Sequence, residues 1–354
     1  PPMNLSPKQL RKSLETHTTA ISYPKGRMVG SPGHDKARKY IRGQMESLGL
    51  DPFHGDSYEL PYTGTAAGSG KRIRFTNLVG VIPGRDRTLP PILVGAHYDS
   101  VIDAPCADDN ATSVAFTLAL AENHCARPLE RDLIIAFFDA EEPPYYLGPD
   151  MGSNRFYQDF CKGRKFAAVL ITDLIGHDAE VGDLGIKVPA GMGLLANGVL
   201  SNLSKLLAVM GAESDGTFPA IIEAAAKDAS GLSVIATLSE YIGPVSDHAA
   251  FAKAGQPFLF LSCGRGKYYH TPQDDLTWIN FDKLAHITRF AADIIGRIDR
   301  TPAKADRTPF DPVETELRLF RKFGGMTLPL ILKSLGIKMP ESRKELEALL
   351  SKII

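Results

Sequence analysis

The chain has 354 residues, 44% hydrophobic and 23% charged, which is ample material for a large buried core. Lys plus Arg number 40 against 41 Asp plus Glu, so no long-range field of one sign favours nucleic acid or anionic lipid, and a small neutral or mixed-charge substrate fits better. No apolar run is long enough to span a membrane, and the four cysteines, Cys106, Cys125, Cys161 and Cys263, form no CxxC pair and read as buried or half-buried free thiols.

The N-terminal Pro1-Pro2-Met3-Asn4 is polar and lacks a signal-peptide core; a leader removed before it would imply a secreted or periplasmic protein. From His34 to Leu48, apolar Ala37, Tyr40, Ile41, Met45 and Leu48 recur at helical spacing, and Gly49 follows as a C-terminal stop. Four short runs, Ile92-Leu93-Val94, Leu133 to Phe138, Ala167 to Ile171 and Phe258 to Leu261, are apolar on both faces and bounded by Gly, Pro or charge, as central strands of a parallel sheet are. Thr112 to Asn123 between the first two predicts a helix capped by Asn110 or Thr112. Strand, helix and strand in that order give right-handed crossovers, hence an α/β fold: an open, mostly parallel twisted sheet with helices on both faces. Asn197 to Met210 and Ile222 to Ala229 read as helices, and Lys283 to Ile298 closes the sheet with another. No linker divides residues 1–300, which form one domain. The Pro- and charge-rich Thr301 to Pro312 is a linker, and Val313 to Ile354 reads as two or three short helices, so residues 301–354 form a C-terminal helical tail. Its stripe of Leu328, Ile331, Leu332 and Leu335 predicts core contact.

Each of the four strands runs into a metal-binding type of residue: His97, Asp139-Ala140-Glu141-Glu142, Asp173, and, through the loop Ser262 to Tyr269, His270. Ligands bind beyond the carboxyl ends of strands in open parallel sheets, so residues far apart in sequence converge there. Asp109, in the loop opening the helix after the first strand, completes a set of two imidazoles and three carboxylates, donors that suit zinc. Five side chains exceed the three a single catalytic zinc takes, whereas two metals sharing a carboxylate fit the count. Asp99, two residues after His97, can accept the other imidazole N–H and fix the ligand's tautomer. Glu141-Glu142 at the end of a buried strand needs a compensating cation.

At these residues the sequence resembles the clan MH di-zinc aminopeptidases, the co-catalytic zinc exopeptidases related to glutaminyl cyclase. The matching segments are Gly95 to Ser100, Ala107 to Ala111, Ala140-Glu141-Glu142, Ile171 to Gly176, Ser246-Asp247-His248 and Tyr269-His270-Thr271-Pro272. The resemblance implies an aminopeptidase-like zinc-peptidase fold, with His97 and Asp173 on one zinc, Glu142 and His270 on the other, and Asp109 bridging. It further implies that Glu141 is the general base, Asp99 the partner of His97, Tyr269 a hydrogen-bond donor to the oxyanion, and Asp247 a residue lining the site, with His248 structural or functional. The implied partners are peptides with a free N-terminus. Two segments depart from the family: Cys106 stands where it has glycine, and Pro143 to Asp150 is longer and richer in proline than its short turn. A glutaminyl cyclase, using one zinc, is the rival, similar at His97 to Ser100, Phe137 to Asp139, Glu141-Glu142 and Asp173 to Gly176. Against it stand the Asp108-Asp109-Asn110 loop and Tyr269, where a cyclase is expected to carry tryptophan; Trp278, the chain's one tryptophan, lies beyond His270. A non-catalytic homologue is the third reading, and such proteins lose ligands or the base.

Overall fold

A computed structural model describes residues 3, 5–66, 68–180, 201–302, 310–325, 328–334 and 338–350. Helix α1, Pro7–Ile21, begins at a reciprocal cap in which the Gln9 N–H donates to the Ser6 hydroxyl at 3.3 Å and the Ser6 N–H to the Gln9 side chain at 3.0 Å. Helix α2, Pro32–Leu48, starts on Ser31 and stops at Gly49, whose φ of 68° suits a residue without Cβ. Strands β1 (Asp51–Pro52), β2 (Glu59–Thr65), β3 (Arg72–Ile82) and β4 (Ile92–His97) follow, then α3 (Thr112–Ala126), β5 (Leu133–Phe138), α4 (Gly152–Phe156) and β6 (Ala168–Thr172). After these come β7 (Leu206–Met210), α5 (Phe218–Asp228), β8 (Ser233–Thr237), α6 (His248–Ala252), β9 (Phe258–Ser262) and α7 (Phe281–Arg300). The tail contributes α8 (Val313–Gly324), α9 (Leu328–Ser334) and α10 (Arg343–Leu350).

The strands form one sheet in the order β1-β3-β5-β4-β6-β9-β7-β8, with β2 also paired to β3. The four strands expected from apolar runs are its centre: β5, β4, β6 and β9 pair in parallel. Their side chains explain why both faces are apolar. Ile92, Val94, Leu133, Ile135 and Phe137 enter the layer under α1, α2, α3, α5 and α7, while the alternate Leu93, Ile134, Ala136 and Phe138 meet Phe156, Phe166 and Phe251 on the other side. Both edges are mixed, β3 running antiparallel to β5 and β7 antiparallel to β9.

Three expectations need correction or completion. Leu206–Met210 is not the end of a helix but strand β7, held between β9 and β8; residues 197–200 of that expected helix lie outside the described residues. Neither Asn110 nor Thr112 caps α3: the Asn110 amide donates to the Thr172 carbonyl at 3.1 Å and the Thr112 hydroxyl to the Asp108 carbonyl at 3.1 Å. Strands β1, β2, β3 and β8 were not anticipated.

Tail helix α8 lies against β8, burying Leu317 and Leu319, and its buried Glu316 accepts the Leu238 N–H at 3.0 Å. Arg343 of α10 pairs with Glu316 and Asp311. Leu332 of the apolar stripe is buried; Leu335 and the Ile331 side chain lie outside the described residues. All four cysteines are free thiols, three buried and Cys125 half-buried. Among the described residues no helix is long and apolar enough to cross a membrane.

Candidate metal centre

Parallel register sets the site. His97 pairs with Phe138 and Gly95 with both Ala136 and Ile171, so β4, β5 and β6 end level and the polar residues that follow emerge from one edge. The strands approach closely at Gly95, where a Cβ would come within 2.8 Å of the Phe138 ring. One donor, His270 (φ 56°), and three non-glycine residues near the others, Cys106 (44°), Ala140 (55°) and Leu174 (55°), adopt left-handed backbone. Each such residue costs about 1–2 kcal/mol, and strain of this kind persists where surrounding structure dictates it, typically at functional sites. Cys106, the departure from glycine noted above, is one of them.

The fully buried His97 places Nε2 3.4 Å from Asp109 Oδ1 and 3.7 Å from Asp173 Oδ1. His270 places Nε2 3.2 Å from Asp109 Oδ2 and 3.4 Å from Glu142 Oε2. Asp109 thus turns one oxygen to each imidazole, and the five residues divide into two donor groups, His97-Asp109-Asp173 and Asp109-Glu142-His270, joined by it. Glu141, with Oε2 3.8 Å from His97 Nε2, belongs to neither, although His97, Glu141 and Glu142 form a third cluster of ligand-type atoms.

The donors fit a bound cation. Both His97 nitrogens, His270 Nε2, Glu142 Oε1 and Asp173 Oδ1 are buried without a hydrogen-bond partner, and buried polar groups are rarely left so. Burial works against a charged His97, but Glu141, Asp109, Asp173 and Asp99 outweigh it and raise its pKa well above the ordinary value. Burial raises Glu141 strongly and, with the Asp109 charge, lifts Glu142 to about 8. His270 rises to about 9, its contacts with Asp109 and Glu142 overcoming desolvation. Asp109 moves the other way: burial would raise it, but His270 and His97 hold it below the usual carboxylate range. The common cause is a surplus of buried negative charge over two imidazoles, which a dication would neutralise.

Supporting groups hold the backbone. Asp99 Oδ1 lies 3.3 Å from His97 Nδ1, and its two oxygens also accept the N–H groups of Glu141 and Glu142, each at 3.1 Å, so it braces three residues rather than the one expected. Sequence reasoning missed Asp274, 2% exposed, whose oxygens accept the Asp108 N–H at 2.8 Å and the Asp109 N–H at 3.0 Å. It also missed Arg27. That fully buried guanidinium donates to the carbonyls of Tyr98, Ile21, Pro105, Cys106 and Asp109, tying the end of β4 to the Asp109 loop. Asp108 accepts the Gly176 N–H at 2.6 Å and faces His177 Nδ1 at 2.6 Å, linking that loop to the Asp173 turn. The signal for Asp274 was its place four residues after His270; Arg27 carries no local signal.

Tyr269 stacks on His270 with ring centroids 3.7 Å apart, and burial raises its phenol pKa, with Asp109 and Glu142 adding to the rise. Asp247 is fully buried with neither oxygen hydrogen-bonded; burial lifts it to about 7 despite the His97 charge. His248 points away into the core, stacked on Phe260 at 4.3 Å and lowered to about 4 by burial, the surroundings of a packed neutral imidazole. The departing segment after Glu142 brings Tyr146 to the rim, where its hydroxyl donates to the Pro244 carbonyl at 2.7 Å.

An open α/β sheet gathering imidazoles and carboxylates at the carboxyl end of its parallel strands defines a metallohydrolase site. Peptidase family M28 matches residues 77–295, more than half the chain, and the chain belongs to that family. YfbL of Escherichia coli, an uncharacterised protein, is 25% identical over 301 residues, 81% of this chain and 86% of its own length. A probable zinc metalloprotease of Leptosphaeria maculans is 26% identical over 57% of this chain, which spans 49% of that protein. The fold is similar to that of an aminopeptidase from Aneurinibacillus sp. strain AM-1 (TM-score 0.61, 16% identity, 85% of this chain and 96% of that one). It is equally similar to the Fimbriiglobus ruber glutaminyl cyclase (TM-score 0.63, 18% identity, 84% and 96%). Family and site together make the chain a peptidase-type hydrolase with peptides as its substrate class and a set of donors suited to a metal.

Proposed function

We propose that the chain is a di-zinc aminopeptidase, removing N-terminal residues from peptides with a free N-terminus and using Glu141 as general base. The observation that carries this reading is Asp109, with one oxygen 3.4 Å from His97 and the other 3.2 Å from His270. In this reading His97 and Asp173 hold one ion, Glu142 and His270 the second, and Asp109 bridges. When bound, such a pair supplies Lewis acidity that polarises the scissile carbonyl and acidifies water. Glu141 stands outside both groups that share Asp109, with its backbone N–H held by Asp99, so its carboxylate is free to take a proton and return it to the leaving amine. The Tyr269 phenol, kept neutral by its raised pKa and set against His270, donates a hydrogen bond to the developing oxyanion. Asp99, Asp109, Glu141, Glu142, Asp173 and Asp247 are all buried, and these six carboxylates exceed the charge of two zinc ions, leaving acceptors for a substrate α-ammonium.

Elemental analysis of zinc-saturated protein, with assays on leucyl amide and on an N-terminal glutaminyl peptide, tests the proposal. Two zinc ions per chain and release of leucine are expected. One ion at full activity would remove the di-zinc assignment. Ammonia and a pyroglutamyl product alongside inert aminoacyl amides would replace the peptidase with a cyclase.

A further inference from the structure

We infer that Arg265 binds a substrate carboxylate at the rim of the cleft, so that the enzyme favours short peptides carrying that group one or two residues beyond the scissile bond. This rests on the aminopeptidase reading and adds its substrate class.

The placement comes from stacked groups. The His270 imidazole lies 3.7 Å from the Tyr269 ring, and the Arg265 guanidinium carbon lies 5.0 Å from that same ring, which puts the guanidinium within about 9 Å of a proposed metal ligand. An extended chain advances roughly 3.3–3.6 Å per residue, and a guanidinium–carboxylate hydrogen bond spans about 2.8 Å. From a carbonyl held at the metal centre, Arg265 therefore reaches a carboxylate on the second or third residue. The orientation of the substrate follows from charge: its ammonium end belongs with the surplus of buried acids, which leaves its anionic end to the cation at the rim.

The loop that carries Arg265 is held in place, so little ordering is needed on binding. The Cys263 N–H donates to the Leu174 carbonyl at 2.9 Å, the Gly264 N–H to the Ser262 hydroxyl at 3.0 Å, and the Tyr269 N–H to the Gly266 carbonyl at 3.0 Å. At Gly266 the backbone lies flush on the stacked His177 and Trp278, since a Cβ there would come within 2.9 Å and 3.1 Å of their rings. Lys267 is committed to Glu180 at 3.1 Å and to the Trp278 ring. Arg265 is exposed, and among the described residues no carboxylate lies within ion-pair distance of it. A cation held over the Tyr269 ring, without an ion-pair partner among the described residues and with its loop held in place, is preorganised for an anionic group.

The test compares zinc-loaded wild type, Arg265→Gln and Arg265→Lys on Leu-Gly, its amide Leu-Gly-NH2, and Leu-Asp-NH2. The wild type should show kcat/KM about 10-fold higher for Leu-Gly than for Leu-Gly-NH2 at low salt, the size of one charge-assisted contact. Arg265→Gln should bring that ratio to about 1, Arg265→Lys should retain part of it, and added salt should reduce it. A gain for Leu-Asp-NH2 instead, also lost in Arg265→Gln, would assign the carboxylate to an acidic second residue. A ratio near 1 in the wild type on both comparisons, or one that survives Arg265→Gln, overturns the inference. Wild type inert on all three substrates would instead sink the aminopeptidase reading beneath it.

Discussion

Glu141→Gln and Glu142→Gln, adjacent and isosteric, should fail in opposite ways. Glu141 is absent from the two donor groups that meet at Asp109, and its nearest imidazole contact, 3.8 Å from His97, is the longest among the site's His–carboxylate pairs. Glutamine there keeps the volume, the backbone bond to Asp99 and both donor groups, and removes only the basic oxygen. A general base contributes 10²–10⁴-fold, so kcat should fall by about 2.7–5.5 kcal/mol of barrier with zinc content unchanged. Glu142, 3.4 Å from His270, is one of three donors in its group. Outer groups that merely orient ligands cost roughly 10–100-fold in metal affinity, so losing a direct donor should weaken one zinc by more than about 100-fold. Steady-state hydrolysis of an aminoacyl amide reads the first quantity, and chelator competition followed by elemental analysis reads the second. The cluster His97-Glu141-Glu142 makes the experiment decisive. If Glu141→Gln sheds a metal as Glu142→Gln does, that cluster is a binding site, and the division of roles around Asp109 is wrong.

Three further outcomes follow from the same geometry. Asp274→Asn keeps one acceptor and turns an amide N–H onto the other backbone donor, so it should cost about 2–3 kcal/mol of stability and roughly 10–100-fold in zinc affinity; unfolding and chelator competition that both match wild type would refute the role. His34 is raised: burial opposes its charge, but Asp139, 2.8 Å away, overcomes it. A raised folded pKa gives stability that is complete below the unfolded value of about 6.5 and lost as pH rises through the folded pKa. The urea midpoint of wild type over His34→Gln should therefore shrink as pH rises from about 6, and a gap that widens would contradict the pairing. Removing zinc should lower the thermal midpoint markedly, since ligand at a thousand times Kd contributes about 4 kcal/mol; a midpoint indifferent to chelation would mean the donors do not hold metal.

Much of this protein was legible because its central strands are buried on both faces. A continuous apolar run such as Leu133 to Phe138, too short for a typical helix and bounded by charge, reads as a buried strand, and each of the four runs leads into a residue whose chemistry is expensive to bury without a metal. The four parallel strands, α2, α5, α7 and the convergence of His97, Asp109, Glu142, Asp173 and His270 at one sheet edge follow from that. The edges were less legible. Leu206 to Met210 is made, apart from Val209, of good helix formers at helical spacing with the leucines before it, and only pairing with β8 and β9 makes it a strand; a five-residue apolar run carries no periodicity that separates the two. What the tertiary structure alone decided is how the donors are aimed. That Asp109 faces both imidazoles, that Asp274 and Arg27 hold its loop from 165 and 82 residues away in sequence, and that Arg265 stands over Tyr269 all depend on contacts between segments with no mutual signature in sequence. A residue's type records what chemistry it can do, whereas its direction is set by hydrogen bonds and packing that exist only once the sheet has brought distant loops together.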